Sequence, residues 1–153
     1  MTGLIVIGYD GSADARDAVD FAAAALRGET ALVVNVWQPA LATAPAIAQP
    51  GALLPPASEE ERQLELAARR IAEEGAALAR DAGLGAEPEV RGGAGVGEVA
   101  AALHDVAEQR DADLLVVGRR GMSRLRAALL GSVADAAVRD GRHPVLVVPS
   151  RAD

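Results

Sequence analysis

The run Leu4-Ile5-Val6-Ile7-Gly8, closed by Tyr9-Asp10-Gly11-Ser12, decides the fold. Its apolar residues are uninterrupted rather than alternating, as in a strand covered on both faces, and strands of that kind belong to parallel sheets. Ser12 is an N-cap for a helix over Ala13–Arg27, which puts Ala18, Val19, Ala22 and Leu26 on one side and stops at Gly28. A second apolar run, Ala31–Val36, follows at once.

The same alternation continues along the sequence. Ser58-Glu59-Glu60-Glu61 reads as a capping box opening a helix that ends at Gly83. Glu87–Arg91 is a third strand, polar enough to lie near an edge. A helix over Val96–Arg110, a strand over Asp113–Gly118, a helix over Ser132–Arg139 and a strand over Pro144–Pro149 complete the pattern. Parallel strands joined through helices need right-handed crossovers, so the expectation is an α/β fold: one five-stranded, doubly wound parallel sheet, Rossmann-like, with helices on both faces. Residues 1–153 are expected to form a single nucleotide-binding domain. Residues 39–57 stand apart as a long Pro-rich loop, holding Pro39, Pro45, Pro50, Pro55 and Pro56.

Composition narrows the function. The protein has 153 residues, 24% charged and 50% hydrophobic, which excludes intrinsic disorder. It has no cysteine, hence no thiolate nucleophile or thiolate metal site. All its basic residues are Arg, which removes Schiff-base chemistry and a Walker A loop. A net charge of −7 argues against general nucleic-acid binding. Charged residues interrupt every apolar stretch before it reaches membrane-spanning length, and no signal peptide is evident. A soluble, cytoplasmic protein is expected.

Ligands of doubly wound sheets bind beyond the carboxyl ends of the strands. There the strongest signal is Gly118-Arg119-Arg120-Gly121, nine further residues, then Gly131-Ser132. Glycines let backbone N–H groups approach a string of phosphates. Gly131-Ser132 opens a helix whose N-terminus and hydroxyl favour an anion. Ordinary turn glycines and an ordinary N-cap account for the spacing equally well.

Gly-x-x-Gly, nine residues, Gly-Ser resembles the nucleotide-binding motif of the universal stress protein family, ATP-binding branch. The opening Ile5–Ser12 and the closing His143–Pro149 resemble that family's first and last strands. The resemblance implies strand order 3-2-1-4-5, ATP at the strand ends and a homodimer. Carried over residue by residue, it implies Asp10 near the ribose, Gly8 beside the nucleoside and Val36 at the adenine. It assigns the phosphates to Gly118, Arg119, Gly121, Met122, Gly131, Ser132 and Val133. Arg119 departs from the small polar residue many members carry. Arg120 is expected in solvent, and Arg124 is left open. ATP would bring Mg2+ or Mn2+ with it. The apolar last strand, exposed at a sheet edge, is the expected dimer contact through Val145–Val148.

Other features carry less. Gly95-Val96-Gly97-Glu98-Val99-Ala100 matches a dinucleotide fingerprint, but it follows the third strand, and the acid expected after the next strand is replaced by Gly118. His104 is expected to be a surface or partly buried residue rather than a base, and His143 to lie in a turn, with no metal spacing between them. Asp135 and Asp140 are expected to face water, and Trp37 to pack or to stack near the base. With no evident base and no second acid in the motif, the expectation is an ATP-binding regulatory protein. A slow ATPase, a nucleotidyl-transfer enzyme, or a structural dimer without ligand are the alternatives.

Overall fold

The computed structural model describes residues 3–38, 58–92, 98–121 and 131–151. The Pro-rich stretch 39–57, the two glycines of the fingerprint at 95 and 97, Met122 and Arg124 lie outside the described residues.

The elements run β1 (Leu4–Gly8), α1 (Ala13–Ala25), β2 (Thr30–Trp37), α2 (Glu59–Asp81), β3 (Gly85–Gly92), α3 (Glu98–Gln109), β4 (Leu114–Gly118), α4 (Ser132–Asp140) and β5 (Val145–Val148). Every pairing is parallel and the order is β3-β2-β1-β4-β5, as expected. Successive strand residues feed opposite layers. Ile5, Ile7, Val33 and Val116 face the layer that includes Ala15, Ala18 and Val19 of α1 and Ala76 and Ala79 of α2. Val6, Leu32, Val34, Leu115 and Val117 face Leu103 and Val106 of α3 and Ala134 and Ala137 of α4. Each fully buried Val, Leu or Ile contributes about 1.5–3 kcal/mol, so the two layers together carry the stability.

Local signals place the element ends. The Ser12 hydroxyl accepts the Ala15 N–H at 3.1 Å, and α1 begins there. The capping box is complete: Ser58 Oγ accepts from the Glu61 N–H, and Glu61 Oε2 from the Ser58 N–H, both at 3.2 Å. Gly28 and Gly83 follow α1 and α2 with φ of +90° and +95°. β3 lies at the sheet edge, where Pro88, which has no N–H to donate, is tolerated. Small residues let α2 close on the sheet. At Gly75 an added Cβ would stand 2.7 Å from both Tyr9 Cδ1 and Val33 Cγ1.

β2 and β3 lie on one side of β1, β4 and β5 on the other. The polypeptide therefore reverses direction across the sheet between β1 and β4, and the strand-end crevice opens at that switch point.

Candidate functional site

At the carboxyl ends of β1, β2 and β4 lies a cavity of roughly 170 Å³. Of the residues expected there, Gly8, Asp10, Val36, Gly118, Arg119, Gly121, Gly131, Ser132 and Val133 line it together. Met122 is outside the described residues.

The glycines also do a packing job that their spacing does not suggest. A Cβ on Gly8 would come within 2.9 Å of Leu103 Cδ1, so this glycine lets α3 close over the strand ends. A Cβ on Gly118 would meet the backbone carbonyl of Asp14, both its carbon and its oxygen, at 2.8 Å, so it admits the first turn of α1. A Cβ on Gly131 would lie 3.0 Å from the Arg119 carbonyl oxygen and 3.1 Å from Arg120 Cα. A Cβ on Gly121 would stand 2.8 Å from Asp10 Oδ2. These close approaches bring the two glycine clusters together. The Gly131 N–H donates to the Arg119 carbonyl at 2.7 Å.

That closure uses up several of the amides read as phosphate donors. The Arg119 N–H donates to the Val148 carbonyl at 2.9 Å, and the Arg120 N–H to Asp14 Oδ2 at 3.0 Å. Among the described residues, the amides of the first turn of α4 have no intrahelical partner. Gly131 is its N-cap and has no side chain with which to cap it, so the Ser132 and Val133 N–H groups face the cavity end without an intrahelical partner. The positive end of the helix dipole is there too.

Asp10 is oriented by its own turn, since Oδ1 accepts the Ser12 N–H at 2.9 Å. Arg120 corrects an expectation. It lines the cavity with its side chain 34% exposed, and its Nε lies 4.0 Å from Asp14 Oδ2, rather than standing in solvent. Trp37 packs on Gly92 of β3 and is not among the cavity residues.

Tyr9 and Asn35 also line the cavity and were not anticipated. The Tyr9 backbone is tied to β2 from both sides: its N–H donates to the Val34 carbonyl, and its carbonyl accepts from Asn35 Nδ2, each at 2.9 Å. Its buried ring sends the hydroxyl to Glu74 Oε1 at 2.7 Å, where Arg16 also donates at 2.8 Å. Burial, then the Glu74 carboxylate, push the Tyr9 phenol up, while Tyr9 and Arg16 hold the Glu74 carboxyl below its usual range. Asn35 was legible: a lone amide inside Ala31–Val36 must find partners in a buried strand.

Away from the cavity His104 contradicts its expected placing, while His143 stands in the turn before β5, as expected. His104 is fully buried, with Nε2 2.9 Å from the Ala137 carbonyl and Nδ1 3.1 Å from His143 Nδ1. A carbonyl only accepts, so Nε2 carries a proton. In neutral His104, Nδ1 is then the acceptor for the His143 Nδ1–H. Asp140 does not simply face water either. Arg142 grips both its oxygens, at 2.7 and 3.1 Å, and holds its carboxyl below the usual range.

A parallel doubly wound sheet with a glycine-lined cavity at its switch point defines a Rossmann-like α/β protein. Residues 1–149 match the universal stress protein family, and the chain belongs to it. Solved structures agree on the fold. A hypothetical protein whose biochemical function was assigned from its structure aligns over 100% of this chain and 99% of its own, at 20% identity and a TM-score of 0.72. A universal stress protein in complex with cAMP aligns over 97% and 98%, at 28% identity and a TM-score of 0.65. The universal stress protein of Archaeoglobus fulgidus in complex with dAMP aligns over 97% and 98%, at 20% identity and a TM-score of 0.63. Among proteins of curated function, none matches the sequence at a significant level. Among the described residues, no helix is long and apolar enough to cross a membrane.

Proposed function

We propose that this protein is an ATP-binding regulator of the stress response, acting as a cytoplasmic homodimer. The observation that carries the reading is the open first turn of α4, aimed at a switch-point cavity that also holds Asp10. Open helix N–H groups suit phosphate oxygens, and a carboxylate suits ribose hydroxyls. The relative that is 28% identical, solved with cAMP, supports an adenine nucleotide in this place.

In this reading Val36 and Gly8 flank the nucleoside and Asp10 the ribose. Gly121, Ser132 and Val133 take the phosphates, with Gly118, Arg119 and Gly131 shaping the turn and Met122 completing the motif. Mg2+ or Mn2+ would ride on the polyphosphate and keep most of its waters. Among the described residues no group of three or more His, Cys, Asp or Glu is placed to hold a metal by itself. Hydrolysis, where it occurs, is slow and incidental.

Dimerisation through Val145–Val148 is supported by the place of β5 at the sheet edge, with Val145, Leu146 and Val147 only partly buried. Val147→Glu should give a monomer by light scattering, and a surviving dimer refutes that contact.

The nucleotide reading is tested by acid release from purified protein followed by titration with ATP. An adenine nucleotide should come off. The double variant Gly131→Val, Ser132→Ala should bind ATP roughly tenfold or more weakly, a loss of about 1.4 kcal/mol or more. Wild-type affinity in that variant refutes the site. Turnover compared between wild type and a Gly121 variant separates a regulator from an ATPase.

A further inference from the structure

Apart from Tyr9, the buried side chains that carry polar groups among the described residues are His104 and Asn35. His104 anchors α4. Asn35 acts where β1 ends. It follows Val33 by two positions, so it shares the face of β2 that packs on α1 and α2. At 7% exposed it needs a partner, and its Nδ2 donates to the Tyr9 carbonyl at 2.9 Å.

That carbonyl marks a break in the sheet. Parallel pairing of β1 with β2 runs from Leu4↔Thr30 to Gly8↔Val34. One more bond follows, from the Tyr9 N–H to the Val34 carbonyl at 2.9 Å. A continued ladder would next bring the Val36 N–H to the Tyr9 carbonyl. The Asn35 side chain takes that carbonyl instead, and the polypeptide leaves the sheet there. The Tyr9 carbonyl and the Asp10 nitrogen belong to one rigid peptide plane, so the amide that holds the carbonyl also sets the direction in which Asp10 departs. Beyond Asp10 the turn is fixed again, since Asp10 Oδ1 accepts the Ser12 N–H and Ser12 caps α1.

We propose that Asn35 is a positioning residue for the ribose of the bound nucleotide, acting through Asp10. The inference rests on the adenine-nucleotide reading of the cavity. Asn35 ends the β1–β2 ladder one rung early and keeps the Asp10 carboxylate beside Gly121 in the cavity wall. With an apolar side chain at position 35, the Tyr9 carbonyl is left to the Val36 N–H, and Asp10 moves toward β2 with its peptide plane.

The test is calorimetric titration of the full-length protein with ATP and with 2′,3′-dideoxy-ATP, which lacks both ribose hydroxyls. Wild type should bind ATP about tenfold more tightly than the analogue, because hydrogen bonds to a carboxylate are lost. Asn35→Leu, close in size, should lose about tenfold for ATP and much less for the analogue, so that the preference collapses. Asn35→Asp keeps the shape but puts an acceptor where the N–H donor stood, and should lose the preference as fully. Either variant that folds decides the matter: a merely structural Asn35 would weaken both ligands alike, and a preserved preference overturns the inference. Hydrogen exchange on ligand-free wild type needs no variant. The Val36 N–H should exchange faster than the Val34 N–H, and equal protection overturns the argument from the ladder. A wild type that binds ATP and the analogue equally overturns the part given to Asp10 and Asn35 and leaves the nucleotide reading standing. A wild type that binds neither overturns both.

Discussion

At its C-terminal end α4 is closed three times over. Gly141 turns into the left-handed region with φ +66°, and its N–H reaches the Ala137 carbonyl at 3.4 Å. His104 of α3 donates to the same carbonyl at 2.9 Å. Arg142 grips Asp140 and reaches across to Asp105 at 2.7 Å and to the Ala101 carbonyl at 3.2 Å, tying α4 to α3. At the N-terminal end of the same helix, Gly131 has no side chain to serve as a cap. Two other helices are capped at their starts, α1 by Ser12 and α2 by the Ser58–Glu61 box. An N-cap side chain is worth about 1 kcal/mol, so its omission at α4 alone among these three is a cost borne where a ligand can supply the missing acceptors. The far end anchors the helix so that the near end can stay open.

The contrast can be broken at either end. His104→Ala should have the largest effect, about 2–4 kcal/mol by chemical denaturation, because it opens a buried hole and strips partners from Ala137 and His143. A loss below ~1 kcal/mol would mean the histidine pair does not anchor α4. At the other end, nucleotide at a hundredfold excess over its Kd should raise unfolding free energy by about 2.7 kcal/mol, measured in the same denaturation. Replacing Gly141 by Ala forces a β-carbon into the left-handed region and should cost about 1–2 kcal/mol. The smallest effect belongs to Asp140→Asn, about 1 kcal/mol or less at neutral pH. Asp140 ionises more readily folded than unfolded, so its contribution is present above the ordinary Asp pKa of about 4 and fades as pH falls through the lower folded value. Melting curves of the two proteins should therefore converge toward pH 3; a gap that persists there would mean the carboxylate charge is not what Arg142 uses.

Much of the fold was legible from local pattern. The Leu4–Gly8 and Leu114–Gly118 runs announce doubly covered strands, and Ser12, Ser58 and the glycines at 28 and 83 announce element ends, because caps and left-handed turns depend on residues close in sequence. The cavity residues were found by their glycine spacing and their place after strands, but the packing that also requires those glycines was not legible. Gly8 and Gly118 are small because Leu103 and the Asp14 backbone, each about a hundred positions away, stand against them. Arg120 was placed in solvent since nothing near it in sequence pointed to Asp14. The histidine pair was invisible for the same reason: residues 104 and 143 meet only because α3, α4 and the turn into β5 converge.

The sequence by itself determined the alternation of strands and helices, their caps and the positions at which a ligand site could be built. Periodicity and capping act over a few residues, so they can be read from one end to the other. Only the tertiary structure decided which amides are spent in holding the turn together and which remain open at α4. It also decided that Asp14 faces Arg120 and that His104 is buried against His143. Those outcomes depend on distances between groups far apart in sequence, and no local pattern encodes such distances until the sheet has brought the strand ends side by side.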